Sequence, residues 1–322
     1  MEIIDNKCPT CKSSLEFNVD NQNWKCKHCR NEYTLDDIKK TKNKVKNKVN
    51  ELICPSCNAK LITNENIIST KCIYCRSEVV VNKTKDRISM PDKVIPFKIS
   101  IKDAKKNIQT YINNKKLLPD DFKIEKYLKE IQGIYIPFWL FSNKYRASIR
   151  GTQGLLKKAQ VELDYIPFDA NKHLDNTITK AIEPYNYDEL CKFDSAYLSG
   201  FIAQKYDVES EEGRQEIKNR CALTIENIFT QMKSKFYVND ATFVQETLES
   251  EEIHYALLPI WLVNIKYKNE NYMIVVNGQT GKVVGKLPLN MQKYLLLGTL
   301  VFITSLLACA IILLIFRWGG IL

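Results

Sequence analysis

The sequence is poor in the residues on which most catalytic sites depend. Its 322 residues hold three histidines, His28, His173 and His254. None stands in His-Glu-x-x-His, and no Gly-x-Ser-x-Gly occurs. Glycine is scarce, at 11. The one glycine-bearing turn that resembles a phosphate loop, Gly278-Gln-Thr-Gly281-Lys282-Val283, has the wrong spacing and puts Val283 where Ser or Thr would hold magnesium. A hairpin turn explains it better, with Asn277-Gly278 supplying positive φ. The acidic pairs Glu211/Glu212 and Glu251/Glu252 are sequence neighbours and read as solvated surface. No enzyme is expected, and no small-molecule substrate is suggested. Met1 to Lys7 lacks an apolar h-region, so no signal peptide is expected. With Glu2 at the second position and Gly319-Gly-Ile-Leu322 at the end, no lipidation motif is expected.

Cysteine, by contrast, is plentiful, at 11. Eight form four Cys-x-x-Cys pairs: Cys8/Cys11, Cys26/Cys29, Cys54/Cys57 and Cys72/Cys75. A shift of 46 positions carries the first four onto the second four, and 14 residues separate the pairs within each set. One Cys-x-x-Cys turn aims two sulfurs at one point, and two turns close a four-thiolate, structural site. The pattern predicts two tandem zinc ribbons with one structural Zn2+ each. Iron can occupy the same sulfurs. Disulfides would need an oxidising compartment, and a redox Cys-x-x-Cys does not come four times. His28 is expected to be a bystander, since four cysteines already complete its site. Trp24 and Tyr33 are expected to fill the first ribbon's small core. Thr70 stands at the position equivalent to Trp24, so no aromatic platform for bases is repeated. Cys221 and Cys309 read as packing residues, and Cys191 has no assigned role.

The composition, 45% hydrophobic and 26% charged, is that of a folded protein. The net charge of +10 suits solubility, an anionic membrane surface or nucleic acid. Residues 1–38 are read as ribbon 1, 39–50 as a polybasic linker and 51–90 as ribbon 2. The linker has six lysines between Lys39 and Lys48. Residues 91–290 read as a mixed α+β globular domain. Strands are expected at Val94–Phe97, Gly133–Ile149, Val161–Phe168, Phe236–Val244, Ile253–Ile265, Tyr272–Val276 and Lys282–Gly285. Pro137 marks the second as an edge or a bulge. Helices are expected from Ser100 or Asp103, and at Phe122–Ile131, Leu174–Ile182, Ser195–Lys205 and Glu209–Lys233. Ile217, Cys221, Ile225, Ile228, Phe229 and Met232 share one face of the last. Two phrases recur: Ile95-Pro-Phe97 with Ile166-Pro-Phe168, and Pro137-Phe-Trp-Leu140 with Pro259-Ile-Trp-Leu262. Either an internal duplication or β-edge chemistry used twice accounts for them. Trp139 and Trp261 are expected in the core.

Tyr294 to Phe316 is a run of 23 residues without a charge, between Lys293 and Arg317. A bilayer core needs about 20 apolar residues in a helix, so a C-terminal transmembrane helix is expected at 294–316. Tyr294 and Trp318 sit at interfacial positions. With six residues after Phe316, the span reads as a tail anchor in the cell membrane, with residues 1–293 cytoplasmic, where thiolates survive.

The ribbon cysteines are accompanied by Val94-Ile-Pro-Phe97, Leu117-Leu-Pro119, Gly133-Ile-Tyr-Ile-Pro-Phe-Trp-Leu-Phe141, Glu183-Pro-Tyr-Asn-Tyr187, Ala196-Tyr-Leu-Ser-Gly-Phe201, Tyr206-Asp-Val208, Leu257-Leu-Pro-Ile-Trp-Leu262 and Asn277-Gly-Gln-Thr-Gly-Lys282. With these phrases the chain resembles the TFIIB-type zinc-ribbon membrane proteins of low-GC Gram-positive bacteria. The resemblance implies a scaffold at the inner membrane face, associated with SPFH-domain (flotillin-like) and PspA-like membrane-stress proteins. It implies one ribbon in many members, where this chain has two. The expectation is therefore a tail-anchored cytoplasmic adaptor that binds protein partners. The alternative is a membrane-tethered nucleic-acid binder.

Overall fold

A computed structural model describes residues 7–41, 50–63, 69–80, 90–150, 156–235 and 242–318. The first cysteine region holds β1 (Leu15–Asn18), β2 (Asn23–Cys26) and β3 (Glu32–Tyr33) in one small antiparallel sheet. Helix α1 (Leu35–Thr41) follows, opened by a reciprocal cap between Thr34 and Asp37. The helix crosses the expected boundary between ribbon 1 and the linker at residue 38; linker residues 42–49 lie outside the described residues. The second region holds β4 (Asn50–Ile53), β5 (Lys60–Thr63), β6 (Ser69–Lys71) and β7 (Glu78–Val80).

The remainder comprises β8 (Lys93–Val94), α2 (Ile101–Asn113), β9 (Gln132–Arg150), β10 (Leu156–Asp169), α3 (Asn176–Ile182), β11 (Cys191–Lys192), β12 (Ile202–Gln204), α4 (Ser210–Lys235), β13 (Thr242–Tyr267), β14 (Glu270–Asn277), β15 (Val283–Gly285) and α5 (Met291–Trp318). One ten-stranded sheet runs β11-β8-β13-β9-β12-β5-β4, with β10 also on β9 and the β14–β15 hairpin on β13. The mixed α and β character is as expected. Three local expectations are corrected. Phe122–Ile131 forms two 3-10 turns, Ile124–Lys126 and Leu128–Glu130, instead of a helix. Residues 195–205 form a 3-10 turn, Ser195–Leu198, and then β12. The separate strands expected at Phe236–Val244 and Ile253–Ile265 are replaced by one 26-residue strand, β13, with residues 236–241 outside the description.

The two long strands, β9 and β13, are antiparallel and are used in the same way. Strand β13 takes parallel β8 at Ala256 and Leu257, then antiparallel β14 from Ile260. Strand β9 takes parallel β12 at Ile134 and Tyr135, then antiparallel β10 from Phe138. The change of partner falls on Pro259 in one and on Pro137 in the other. At each, the carbonyl accepts a backbone N–H, from Gly278 at 2.8 Å and from Ala170 at 3.3 Å. The N and O of one strand residue face the same edge, so each missing proline N–H lies in the gap between two partner strands. Pro137 thus sits in a central strand, not at an edge. Two residues on, Trp139 Nε1 donates to the Val208 carbonyl and Trp261 Nε1 to the Ile99 carbonyl, both at 2.8 Å. The amides of Asp207 and Val208 donate to the Ala170 carbonyl, and those of Lys98 and Ile99 to Gly278. The middle of the chain is therefore a structural repeat. Its register corrects the expected pairing of phrases. Ile95-Pro-Phe97 corresponds to Gln204-Lys-Tyr206, and Ile166-Pro-Phe168 to Ile274-Val-Val276.

Alternation along β9 divides the core, as the two-residue strand period requires. Ile134, Ile136, Phe138 and Leu140 are buried on the face covered by α3 and the second cysteine region. Tyr135 and the partly buried Trp139 face α2 and the first cysteine region. Helix α4 covers the outer half of β9 and β10 through Ile217, Cys221, Ile225 and Phe229. Ile228 is half-buried, and the side chain of Met232 lies outside the description.

Candidate metal centres

All eight paired cysteines are brought together, in two groups of four. Within each group the sulfurs lie within 4.8 Å of one another. In the first, Cys8–Cys29 are 3.5 Å apart and Cys11–Cys26 3.4 Å. In the second, Cys54–Cys75 are 3.4 Å apart and Cys57–Cys72 3.5 Å. A tetrahedron with metal–sulfur bonds of about 2.3 Å has edges of about 3.8 Å, so the four sulfurs of each group fit a tetrahedral ion. His28 is exposed and outside the first group.

The four Cys-x-x-Cys turns are copies of one loop. The amide of the residue after the second cysteine donates to the first cysteine's carbonyl: Lys12 to Cys8, Arg30 to Cys26, Asn58 to Cys54 and Arg76 to Cys72. Each of those residues has a positive φ, between 60° and 63°. Only Asn58 is a residue type that favours this region, so the other three gave no sign of it in the sequence. The loops aim backbone N–H groups at sulfur, as His28 N does at Cys26 Sγ (3.4 Å).

In each group one thiol is held down and another is pushed up. Burial pushes the Cys8 thiol up, but hydrogen bonds from Tyr33 and from the Cys11 and Thr10 amides outweigh it and bring it down to about 6. At Cys75, burial is likewise outweighed by the Ser77 hydroxyl and amide, giving about 6. For Cys29, the Asn31 amide favours the thiolate, but burial and the neighbouring sulfurs prevail and raise it to about 12. Burial, followed by the adjacent sulfurs, raises Cys57 as well. Four thiolates this close repel one another, and a divalent cation is what lets all four ionise together. Two groups fitted to hold a metal ion are therefore present; the donor set admits zinc or iron.

The two regions pack on the body by different surfaces. The first uses its hairpin. Trp24, 2% exposed, donates to the Ala196 carbonyl at 2.8 Å and packs on Phe17 and Tyr197. The Phe17 amide donates to Ser199. Trp24 thus joins the region to the body instead of filling a private core. Tyr33 stays local, its hydroxyl 3.1 Å from Cys8 Sγ. The metal turns at Pro9-Thr10 and Lys27-His28 are left on the surface. The second region uses its second turn. Tyr74, between Cys72 and Cys75, contacts Gln204, accepts from Asn171 Nδ2 at 3.1 Å and stacks on His173. Gln204 also donates to Asn171 and Asp207, and His173 Nε2 lies 3.4 Å from Asp207. Sequence reasoning missed this network, whose members lie up to 133 positions apart; nothing local signals it. Pairing of Leu61 and Ile62 with Gln204 and Ala203 adds the β4–β5 hairpin to the large sheet.

Helix α5 is long and apolar enough over Met291–Ile312 to cross a membrane, and no residue of that stretch is buried against the rest of the chain. Such a helix suits a membrane anchor. Cys309 is exposed on it. Cys191 is half-buried, its Sγ 3.4 Å from the Val94 carbonyl.

No family model matches the sequence, and no solved structure matches it. A curated relative does: the uncharacterized protein YdjG of Bacillus subtilis (strain 168), 35% identical over 320 residues. The match spans 90% of this chain and 92% of the relative. On that identity and coverage, the chain belongs to the same family as YdjG of Bacillus subtilis.

Proposed function

We propose that the chain is a tail-anchored adaptor on the cytoplasmic face of the cell membrane, in which two structural metal ions, zinc by preference, fix a protein-binding surface. No catalytic role is assigned to any residue. The observation that carries the reading is the asymmetric packing of the two cysteine groups. A four-thiolate site has no open coordination position for chemistry, and the second group is engaged with the body through Tyr74. The first group leaves its turns at Pro9-Thr10 and Lys27-His28 facing solvent, which suits them to a partner. The partners expected from the family resemblance are SPFH-domain and PspA-like proteins. The nucleic-acid reading is less favoured, because Trp24, the ribbon tryptophan available for stacking on a base, is spent on Ala196 and Tyr197.

Two measurements test this. Elemental analysis of purified chain should give two metal ions per chain and identify the metal. Crosslinking in native membranes, followed by capture of the full chain, should recover a protein of the expected class. The double variant Lys27→Ala/His28→Ala keeps all eight cysteines and should lose that partner. Recovery of an unchanged set of proteins by the variant would overturn the adaptor surface.

A further inference from the structure

The loop between α2 and the first 3-10 turn, residues 114–123, lies far in sequence from α5 but is bonded to its first turn. Asn290 caps that helix: its side chain accepts from the amides of Gln292 (3.0 Å) and Lys293 (3.2 Å). Its own amide donates to the Leu117 carbonyl at 2.8 Å. Lys293 Nζ reaches the Leu118 carbonyl at 3.1 Å and Asp120 at 2.5 Å. The uncharged run begins at the next residue, Tyr294. With a rise of about 1.5 Å per helical residue, Leu117 is held within about one helical turn of that run.

Lys115 and Lys116 immediately precede Leu117 and are exposed. Among the described residues neither makes an ion pair. Lys115 Nζ sits 4.5 Å from the centre of the Tyr111 ring, and the Tyr111 hydroxyl donates to the Gly285 carbonyl. The root of that lysine is thereby fixed. Beside the loop, Leu289 and Met291 are 59% and 61% exposed. Bare apolar side chains next to unpaired lysines, at the level where an apolar helix begins, match a bilayer interface. There an apolar residue enters the acyl boundary and an ammonium group reaches a phosphate.

We propose that this face, Lys115 and Lys116 with Leu289 and Met291, seats the globular body on the bilayer by binding anionic phospholipid headgroups. The inference rests on the membrane-anchor reading and adds a second, headgroup-dependent contact to it. It also fixes orientation. With residues 115–116 at the surface, the body cannot swing freely about the helix.

The test uses the full chain in nanodiscs of phosphatidylcholine alone, or of phosphatidylcholine and phosphatidylglycerol in equal parts. A neutral amine-acylating reagent labels exposed lysines, read by peptide mass spectrometry. Lys218, exposed on α4, which packs on β10 and β13, is the internal control. Labelling of Lys115 and Lys116 relative to Lys218 should fall about fivefold in the anionic discs, the ratio set by about 1 kcal/mol of attraction per lysine. High salt should restore it. Equal labelling in both discs would overturn the headgroup site and leave the anchor standing. A chain that fails to enter either disc would overturn the anchor and this proposal with it.

Discussion

Asp169 and Asn277 occupy the same place in the two halves of the repeat, and the difference between them is one atom. Asn277 Oδ1 accepts from the Gln279 and Thr280 amides, and its Nδ2 donates to the Ile182 carbonyl at 3.1 Å. Asp169 Oδ1 accepts from the Asn171 amide at 2.9 Å, but Oδ2 is buried without a hydrogen-bond partner among the described residues. Burial pushes this carboxyl up to about 6 from a usual 3.8. An acid with a raised folded pKa holds its proton more tightly in the folded state. Its neutral form favours folding at low pH, and stability falls as pH rises from about 4 through about 6. Asp169→Asn supplies the neutral group at every pH. It should raise stability by about 1–2 kcal/mol above pH ~7, after discount for partial solvent screening, and change little at pH ~4. Thermal unfolding of variant and parent in detergent at the two pH values measures this. A gain of equal size at both would rule out titration as the cause.

At the scale of elements, legibility in the sequence followed the range of the interactions. Helix α4 was readable because its buried face repeats every three to four residues and its acidic first turn meets the helix dipole. The hairpin position and the apolar run of α5 were readable for similarly local reasons, but the turn's positive φ falls on Gly281 (78°), not on Asn277-Gly278 as expected. Gly213 in α4 was not readable. A Cβ there would lie 2.5 Å from the Phe168 ring, so helix and strand approach closely only because it is absent. Residues 195–205 misled because Tyr197, Leu198, Phe201 and Ile202 fall at i, i+1, i+4 and i+5, the spacing of one helix face. In fact every residue from Asp194 to Ser199 is buried, roofed by Trp24 and Phe17. No one-sided pattern exists there to read. Strand β12 has three residues, and its existence depends on β9 and β5. Tyr74 shows the same dependence from the other side. Its position corresponds to exposed His28 in the first cysteine region, yet it contacts Gln204, which is 0% exposed. Tyr74→Phe keeps the ring on His173 but removes the hydroxyl partner of Gln204 and Asn171. A buried polar group left unmatched costs about 1–3 kcal/mol. Thermal unfolding in detergent should show a loss of that size. The corresponding change at His28, His28→Phe, should leave stability within about 0.5 kcal/mol.

At the scale of the whole molecule, the eight cysteines and the long apolar helix were legible as residues, but the relation between domains was not. The sequence suggests two small knobs on a linker beside a separate body. The structure joins them: one hairpin extends the body's sheet, one metal turn inserts Tyr74 into a buried network, and Trp24 closes over the Ser195–Leu198 turn. If metal ions shape the turns, they also shape two sides of the body. In the metal-free state the raised thiols of Cys29 and Cys57 and the lowered ones of Cys8 and Cys75 can hold the loops only through hydrogen bonds to sulfur. Losing the metal then exposes Leu61, Ile62 and Ala203, along with Trp24 and Phe17. The prediction is a single cooperative unfolding transition for the metal-loaded chain. A strong chelator should shift the whole transition down, including the signal of body residues such as Trp139 and Trp261. Independent knobs would behave otherwise: chelation would remove a small early transition and leave the body's melting point unchanged. Near-ultraviolet circular dichroism of the detergent-solubilised chain, followed with temperature with and without chelator, separates the two. A body transition indifferent to chelator would show that the contacts at Tyr74 and Trp24 carry no stability across the seam.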